Sequence, residues 1–122
     1  MIAMIFEFTF DPTRPELLDE VLATSEELRL LLADVDGFEG AELFQSCSIP
    51  DKYVTVGFFV DEEPVAAWRN TPGHRRVQAL GRSRFFTDYR IRMAEVTRDY
   101  TGTDRSRAPV DSRRAHDPGS IR

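Results

Sequence analysis

Residues 38–60 read FEGAELFQSCSIPDKYVTVGFFV, and the fold turns on how this stretch is paired. Phe38 to Cys47 and Lys52 to Val60 are two runs of strand composition, separated only by Ser48-Ile49-Pro50-Asp51. So short a connection cannot make the crossover that parallel strands need, so the two runs form an antiparallel hairpin. The rest of the architecture follows from what lies on either side of it.

Upstream, Ile2 to Phe10 is rich in apolar and aromatic residues. Met4, Phe6, Phe8 and Phe10 take one face of a strand, and Ala3, Ile5, Glu7 and Thr9 take the other. Between this strand and the hairpin, Thr13-Arg14-Pro15-Glu16 has the form of a capping box with Pro in the first turn. Leu17, Leu18, Val21, Leu22, Leu28, Leu32 and Val35 follow at helical spacing, and Asp36-Gly37 offers an exit through positive φ. Downstream, Asp61-Glu62-Glu63-Pro64 is a helix start with an N-cap acid. Two short helical pieces are predicted, Val65 to Asn70 and His74 to Phe86, with Thr71-Pro72 restarting the chain between them. Asp88 to Tyr100 is predicted as a last strand, with Tyr89, Ile91, Met93 and Glu95 alternating against Arg90, Arg92, Ala94 and Val96.

The order is therefore βαββαβ. This is an α+β, ferredoxin-like arrangement in which helices cover one face of a four-stranded antiparallel sheet. Strands 1 and 3 are apolar on both faces, through Met4, Phe6 and Phe8 and through Val54, Val56 and Phe58. The helix-free face is then expected to pack on a second copy, giving a homodimer and a dimeric α+β barrel.

At 122 residues the chain has room for one core, expected over residues 1–100. From Thr101 onward it is Arg, Asp, Ser, Pro and Gly with almost no large apolar residue, so residues 101–122 are expected to be a flexible polar tail. Met1 to Phe6 has no preceding basic segment and no apolar run approaches the roughly eighteen residues of a membrane span, so the expected location is the cytoplasm, off the membrane. The lone Cys47 is expected to be a buried thiol in a strand. Residues 1–63 carry fifteen acids against three bases and residues 64–122 six acids against thirteen bases, so the halves attract. The basic half lacks the surface aromatics and overall basicity of a nucleic-acid binder, and nucleic acid is not an expected partner.

On a helical wheel His74, Val77, Gln78, Gly81 and Phe85 share a face, which turns His74 and Gln78 inward. Trp68 and Glu7 are the other polar or amphipathic groups expected to reach the space between helices and sheet. A buried carboxylate needs a partner, so Glu7 should pair with Arg90 or Arg92 or line a hydrated cavity. An apolar pocket with one His, one carboxylate, one Trp and one amide is the default ligand site. There is no nucleophile elbow, no Gly-rich phosphate loop and no metal-spaced His/Cys cluster, so hydrolase and nucleotide readings lose ground and no metal is expected.

The stretch from Asp61 to Asn70, with Trp68 in it, then His74, Gln78, Gly81-Arg82, Phe86, Tyr89-Arg90-Ile91-Arg92 and Glu95 to Tyr100, resembles a branch of the antibiotic biosynthesis monooxygenase family. The likeness covers residues 1 to about 100 and is most specific from Trp68 to Tyr100. It implies a dimeric α+β barrel with one pocket per subunit between helices and sheet. It also implies either cofactor-free oxygenation of polyphenolic molecules by O₂, or binding and degradation of haem. Two motifs of the family are altered. An Asn/Trp pair on the third strand falls on Thr55 and Phe59. The Asn, Trp and His of the haem-degrading members fall on Glu7, Trp68 and Gln78, so haem is disfavoured.

The expectation is a monooxygenase acting with O₂ on an aromatic, polyketide- or quinol-like small molecule. His74, Glu7 and Trp68 form its catalytic set, and Gln78, Asn70, Arg90, Thr55, Phe59 and Phe85 contact the substrate. With His74 as base, activity should rise with pH through the ordinary imidazole range, about 6.5. The alternative is a non-catalytic module that holds a small molecule or haem.

Overall fold

The computed structural model of the chain describes residues 1–117. Strands β1 (Ile2–Thr9), β2 (Phe38–Gln45), β3 (Lys52–Phe59) and β4 (Asp88–Glu95) form one antiparallel sheet in the order β2-β3-β1-β4. Helix α1 (Glu16–Leu32) connects β1 to β2, and α2 (Glu62–Arg69) and α3 (Pro72–Leu80) lead from β3 towards β4. The expected βαββαβ, ferredoxin-like order is the observed one, as an open sheet. Helix α3 does not run to Phe86 as a single α-helix: Gly81–Phe85 is a π-helical turn.

Register fixes which side chains meet the helices. Met4 lies opposite Gly57 and Met93, Phe6 opposite Thr55 and Ile91, and Phe8 opposite Tyr53 and Tyr89. These residues share the helix-facing side, where two apolar clusters sit. Phe8, Phe10, Leu17, Val21, Tyr53 and Phe85 make one, and Met4, Leu32, Phe59, Val65 and Trp68 make the other. Phe59 is 0 % and Leu17 1 % exposed. Burying each such side chain contributes about 1.5–3 kcal/mol before entropy is counted.

Gly37 carries the chain out of the α1 segment at φ 90°. A Cβ there would lie 2.7 Å from Val60 Cγ2 and 2.9 Å from the Pro64 ring, so only glycine fits between α1 and the start of α2. The charge asymmetry between the halves becomes ion pairs across the helical layer, Arg76–Glu27 at 2.6 Å and Arg84–Glu20 at 2.7 Å. Both are exposed, and each is worth at most about 1 kcal/mol.

Three local expectations are corrected. The capping box does not form: the backbone N–H and hydroxyl of Thr13 both donate to Asp11 Oδ1, at 2.9 and 2.7 Å, and α1 begins after Pro15 without a side-chain cap. Cys47 is exposed, because the hairpin turn already begins at Ser46, whose Oγ accepts from the backbone N–H of Ser48 and Ile49. Strand β4 ends at Glu95 rather than Tyr100. Within the segment expected to be a flexible polar tail lies a short helix, α4 (Val110–His116), with Ala108 buried and an Arg105–Asp117 ion pair beside it. The part of that segment beyond residue 117 lies outside the described residues.

Candidate functional site

The corner between α2 and α3 brings together Trp68 and His74. Asp61 caps α2 by accepting from Glu63 N–H at 3.0 Å, which starts the helix that presents Trp68 to the sheet. At the other end the Thr71 hydroxyl donates to Trp68 O at 2.9 Å and accepts from His74 N–H at 3.3 Å. One side chain thus ends α2, caps α3 and fixes the angle between them. The Trp68 and His74 rings lie with centroids 3.9 Å apart at a 52° tilt. Behind Trp68, at 5.8 Å, is the ring of Phe59.

Burial of the imidazole pushes the His74 pKa down to about 4, and the positive charges of Arg75 and Arg69 push in the same direction. At neutral pH the ring is uncharged, able to accept a proton or a hydrogen bond. His74 Nδ1 and Trp68 Nε1 are both buried, and neither has a hydrogen-bond partner among the described residues. An unpaired buried polar group costs about 1–3 kcal/mol.

The helical layer stops short of β4. Tyr89, Ile91 and Met93 face the helix side, yet they are 41 %, 52 % and 42 % exposed. They form an apolar strip on the edge strand, joined to the Trp68 cluster through Met4, the register partner of Met93. At its end a recess of about 450 Å³ opens between β4 and the start of α2, with Ile2 and Met93 on one side and Asp61, Glu62 and Glu95 around it. Sequence periodicity put these three β4 side chains on one face of the strand together. Only the sheet order, which puts β4 at an edge beyond the helices, shows that they are open.

The other predicted site residues divide. Asn70 and Gln78 are brought together by Arg75, which donates to Asn70 Oδ1 at 2.6 Å and to Gln78 Oε1 at 3.1 Å. Arg75 and Arg69 had not been singled out. Thr55 lies on the helix-facing side, half-buried, opposite Phe6. Phe59 and Phe85 are core residues, 0 % and 5 % exposed; Phe59 packs behind Trp68, and Phe85 lies in the other apolar cluster with Phe8, Phe10 and Tyr53. Glu7 and Arg90 lie opposite each other on the helix-free face, so the expected meeting of Glu7 with His74 does not occur within one subunit. There Glu7 pairs with Arg92 at 3.3 Å and Lys52 at 3.7 Å, one of the two ion pairs anticipated for it.

Residues 1–80 match the family described as antibiotic biosynthesis monooxygenase. The chain belongs to that family. Its fold is that of solved structures, among them a Mycobacterium tuberculosis protein with a TM-score of 0.70 at 15% identity, covering 82% of this chain and 98% of that one. Another is the cofactor-independent oxygenase from Streptomyces nogalater, with a TM-score of 0.67 at 13% identity over 80% of this chain and 94% of the other. In sequence the chain is 32% identical over 122 residues to the jasmonate monooxygenase ABM of Pyricularia oryzae, covering 99% of this chain and 55% of the relative. It is 29% identical over 75 residues to a Bacillus subtilis protein, covering 62% of this chain and 64% of the other. The chain thus spans little more than half to under two thirds of the length of these curated relatives.

The residues present do not fit haem. At the expected ligand position stands Gln78, an amide whose oxygen is held by Arg75, and the nearest imidazole, His74, has its ring against Trp68.

Proposed function

We propose that this domain is a cofactor-independent monooxygenase that uses O₂ on an apolar, aromatic, hydroxyl-bearing small molecule lying on the β4 strip. The observation that carries this reading is the neutral His74 ring beside Trp68, whose cluster is joined through Met4 to an apolar strip on β4 that stays exposed. The family assignment and the likeness to an oxygenase that needs no cofactor support the same reading.

The chemistry asks little of the protein. A phenol or hydroquinone loses its proton, and the anion gives electrons to O₂. Two hydrogens leave the substrate, one oxygen atom enters it as a carbonyl, and the other departs as water, so no outside reductant is needed. The domain supplies a proton acceptor and exclusion of water. His74 alone is a weak base, but an anion formed beside it would favour its protonated form.

The unit of function in this reading is a homodimer. The helix-free face carries Ile5, Val54, Val56, Phe58 and Phe44, with Phe58 36 % and Phe44 45 % exposed. A second copy would cover these residues and enclose the Glu7–Arg92–Lys52 cluster.

The test is O₂ uptake by the purified protein with a panel of phenols and hydroquinones, with His74→Ala as the control. Turnover should fall about 10²–10⁴-fold in the variant, the usual range for loss of a general base. Absence of O₂ uptake with every member of the panel, while one of them binds, would leave a binding module instead.

A further inference from the structure

Past the sheet the chain builds a second, smaller structure, and the family match over residues 1–80 ends well before it. Thr101 Oγ1 accepts from the N–H of Thr103 and of Asp104, at 3.3 and 2.8 Å, and Asp104 Oδ1 accepts from the N–H and the hydroxyl of Ser106, at 3.2 and 2.8 Å. These bonds fold the segment into a turn, and the ion pair from Arg105 Nε to Asp117 ties the turn to the end of α4. Between turn and helix lies a recess of about 390 Å³ lined by Gly102, Thr103, Arg105, Ser106, Arg113 and Asp117. Its charges do not balance. Arg105 and Asp117 offset one another, and the Arg105 guanidinium also lies over the Tyr100 ring, 5.5 Å from its centroid. Arg113 has no ion-pair partner among the described residues, and its Nε is buried without an acceptor. A guanidinium stays charged and can only donate. Partly removed from water with nothing to accept from it, it leaves one positive charge of the recess unmet. An anion with two oxygens meets that charge, whereas a neutral acceptor leaves it standing.

We infer that this recess is a binding site for a small polar molecule that carries an oxyanion, a phosphate monoester or a carboxylate, with Arg113 as the residue that holds the anion. The guanidinium supplies both the charge and a planar fork that meets two oxygens side by side. The Arg105–Asp117 pair frames the site: the carboxylate is engaged by Arg105, and the pair sets how far the turn stands from α4. The Ser106 hydroxyl gives its proton to Asp104, so towards a ligand it can only accept, which suits a molecule with a hydroxyl near its anionic group. Gly102 leaves room, since a Cβ on it would meet nothing within 4 Å. The recess is larger than a bare phosphate needs and falls at the lower end of the range of small-molecule pockets, about 300–1,000 Å³. None of its lining residues belongs to β1–β4 or α1–α3, so the site is separate from the Trp68–His74 corner and stands whether or not the oxygenase reading does.

The site is tested by NMR titration of the full chain at constant ionic strength, with glycerol 3-phosphate and glycerate as probes and glycerol as the uncharged control. At least one of the two anions should shift the amide resonances of Gly102, Thr103 and Ser106 and the Arg113 Nε–H resonance saturably, and glycerol should not. Whichever anion binds tighter names the oxyanion the recess takes, and either result supports the site. Arg113→Gln should weaken that binding about tenfold or more, as loss of a charge-assisted pair does. Arg114→Gln removes the same charge from the exposed neighbour and should change affinity less than about twofold. Should Arg113→Gln disturb the amides of the turn before any ligand is added, Arg113→Lys replaces it: the charge stays, the fork is lost, and binding should weaken about threefold or more. Absence of saturable shifts on the parent overturns the inference. So do equal losses in the Arg113 and Arg114 variants, which would mean attraction to overall charge, and equal binding of glycerol, which would leave the anion no part in it.

Discussion

Acidification should destabilise this protein through His74, and the size of the effect can be worked from its surroundings. The imidazole has a folded pKa of about 4 against about 6.5 in an unfolded chain. Between those values the unfolded state binds the proton and the folded state does not. The stabilisation is therefore complete above about pH 6.5 and drains away as pH falls towards 4. Two and a half pH units at 1.36 kcal/mol each set a ceiling of about 3.4 kcal/mol. The ring is only half-buried, and solvent screening reduces this to roughly 1–2 kcal/mol. His74→Phe keeps an aromatic ring against Trp68 and removes the titration. Asp11, Glu20, Glu26 and Asp104, whose hydrogen bonds from Thr13, Arg84, Arg29 and Ser106 hold them below the usual carboxylate range, weaken both proteins alike in acid. The informative quantity is the difference between parent and variant. Urea unfolding at pH 7.5 and pH 5, at fixed protein concentration, can be followed by the fluorescence of Trp68, the sole tryptophan. The parent should lose about 1 kcal/mol more than the variant over that interval. Parallel losses, within about 0.3 kcal/mol, would show that the imidazole titrates normally and that its burial against Trp68 is wrong.

The same depressed pKa moves the acid limb of activity. With His74 as acceptor, kcat/KM for a phenol should fall on the acid side near pH 4 rather than near the ordinary 6.5, read from a pH–rate profile. Glu7→Gln should change turnover less than about threefold, because Glu7 is on the opposite face of the sheet from His74; a loss comparable to that of His74→Ala would make Glu7 part of the chemistry. Gly81→Ala places a Cβ 2.5 Å from Phe86 Cε2 and displaces a ring packed on Phe6, Phe8 and Tyr89, which should cost about 1–3 kcal/mol in calorimetric unfolding. Phe58→Lys should convert the proposed dimer to monomer by light scattering; a parent that is itself monomeric at micromolar concentration would remove the dimer from the reading.

Where local pattern and tertiary context agree, the sequence was legible. The hairpin followed from two strand-like runs and a break too short for a crossover, and the α2 start from Asp61, whose side chain does accept from Glu63 N–H. It failed where two local signals competed for one group. Thr13 and Glu16 have the spacing of a capping box, but Asp11, two residues before Thr13, takes both its N–H and its hydroxyl. Cys47 follows a run of good strand residues, yet Ser46 turns the chain by binding two backbone N–H groups, so the thiol falls in a loop. The π-helical turn at Gly81–Phe85 left no mark in periodicity. It reflects the seating of Phe86 against Gly81, a contact that exists only once β1 is in place.

The candidate site shows the same division more sharply. The wheel turned His74 and Gln78 to one face, but it could not show that Arg75 ties Gln78 to Asn70, since a helical projection carries no side-chain reach. The alternation of β1 already set Glu7 opposite Met4, Phe6 and Phe8. Drawing it into the helix-side pocket set the scarcity of polar residues above the period of the strand, and the strand won. That outcome makes chemical sense. In the interior Glu7 would need a cation to offset desolvation, and the cations are on its own face, Arg92 and Lys52. The helix side keeps the opposite character: an uncharged imidazole, an indole N–H and exposed apolar side chains. The sheet thus separates two environments. One is an apolar surface of Ile5, Val54, Val56 and Phe58 with a charged cluster at Glu7, and the other is an apolar layer whose polar groups are an uncharged imidazole and an indole N–H.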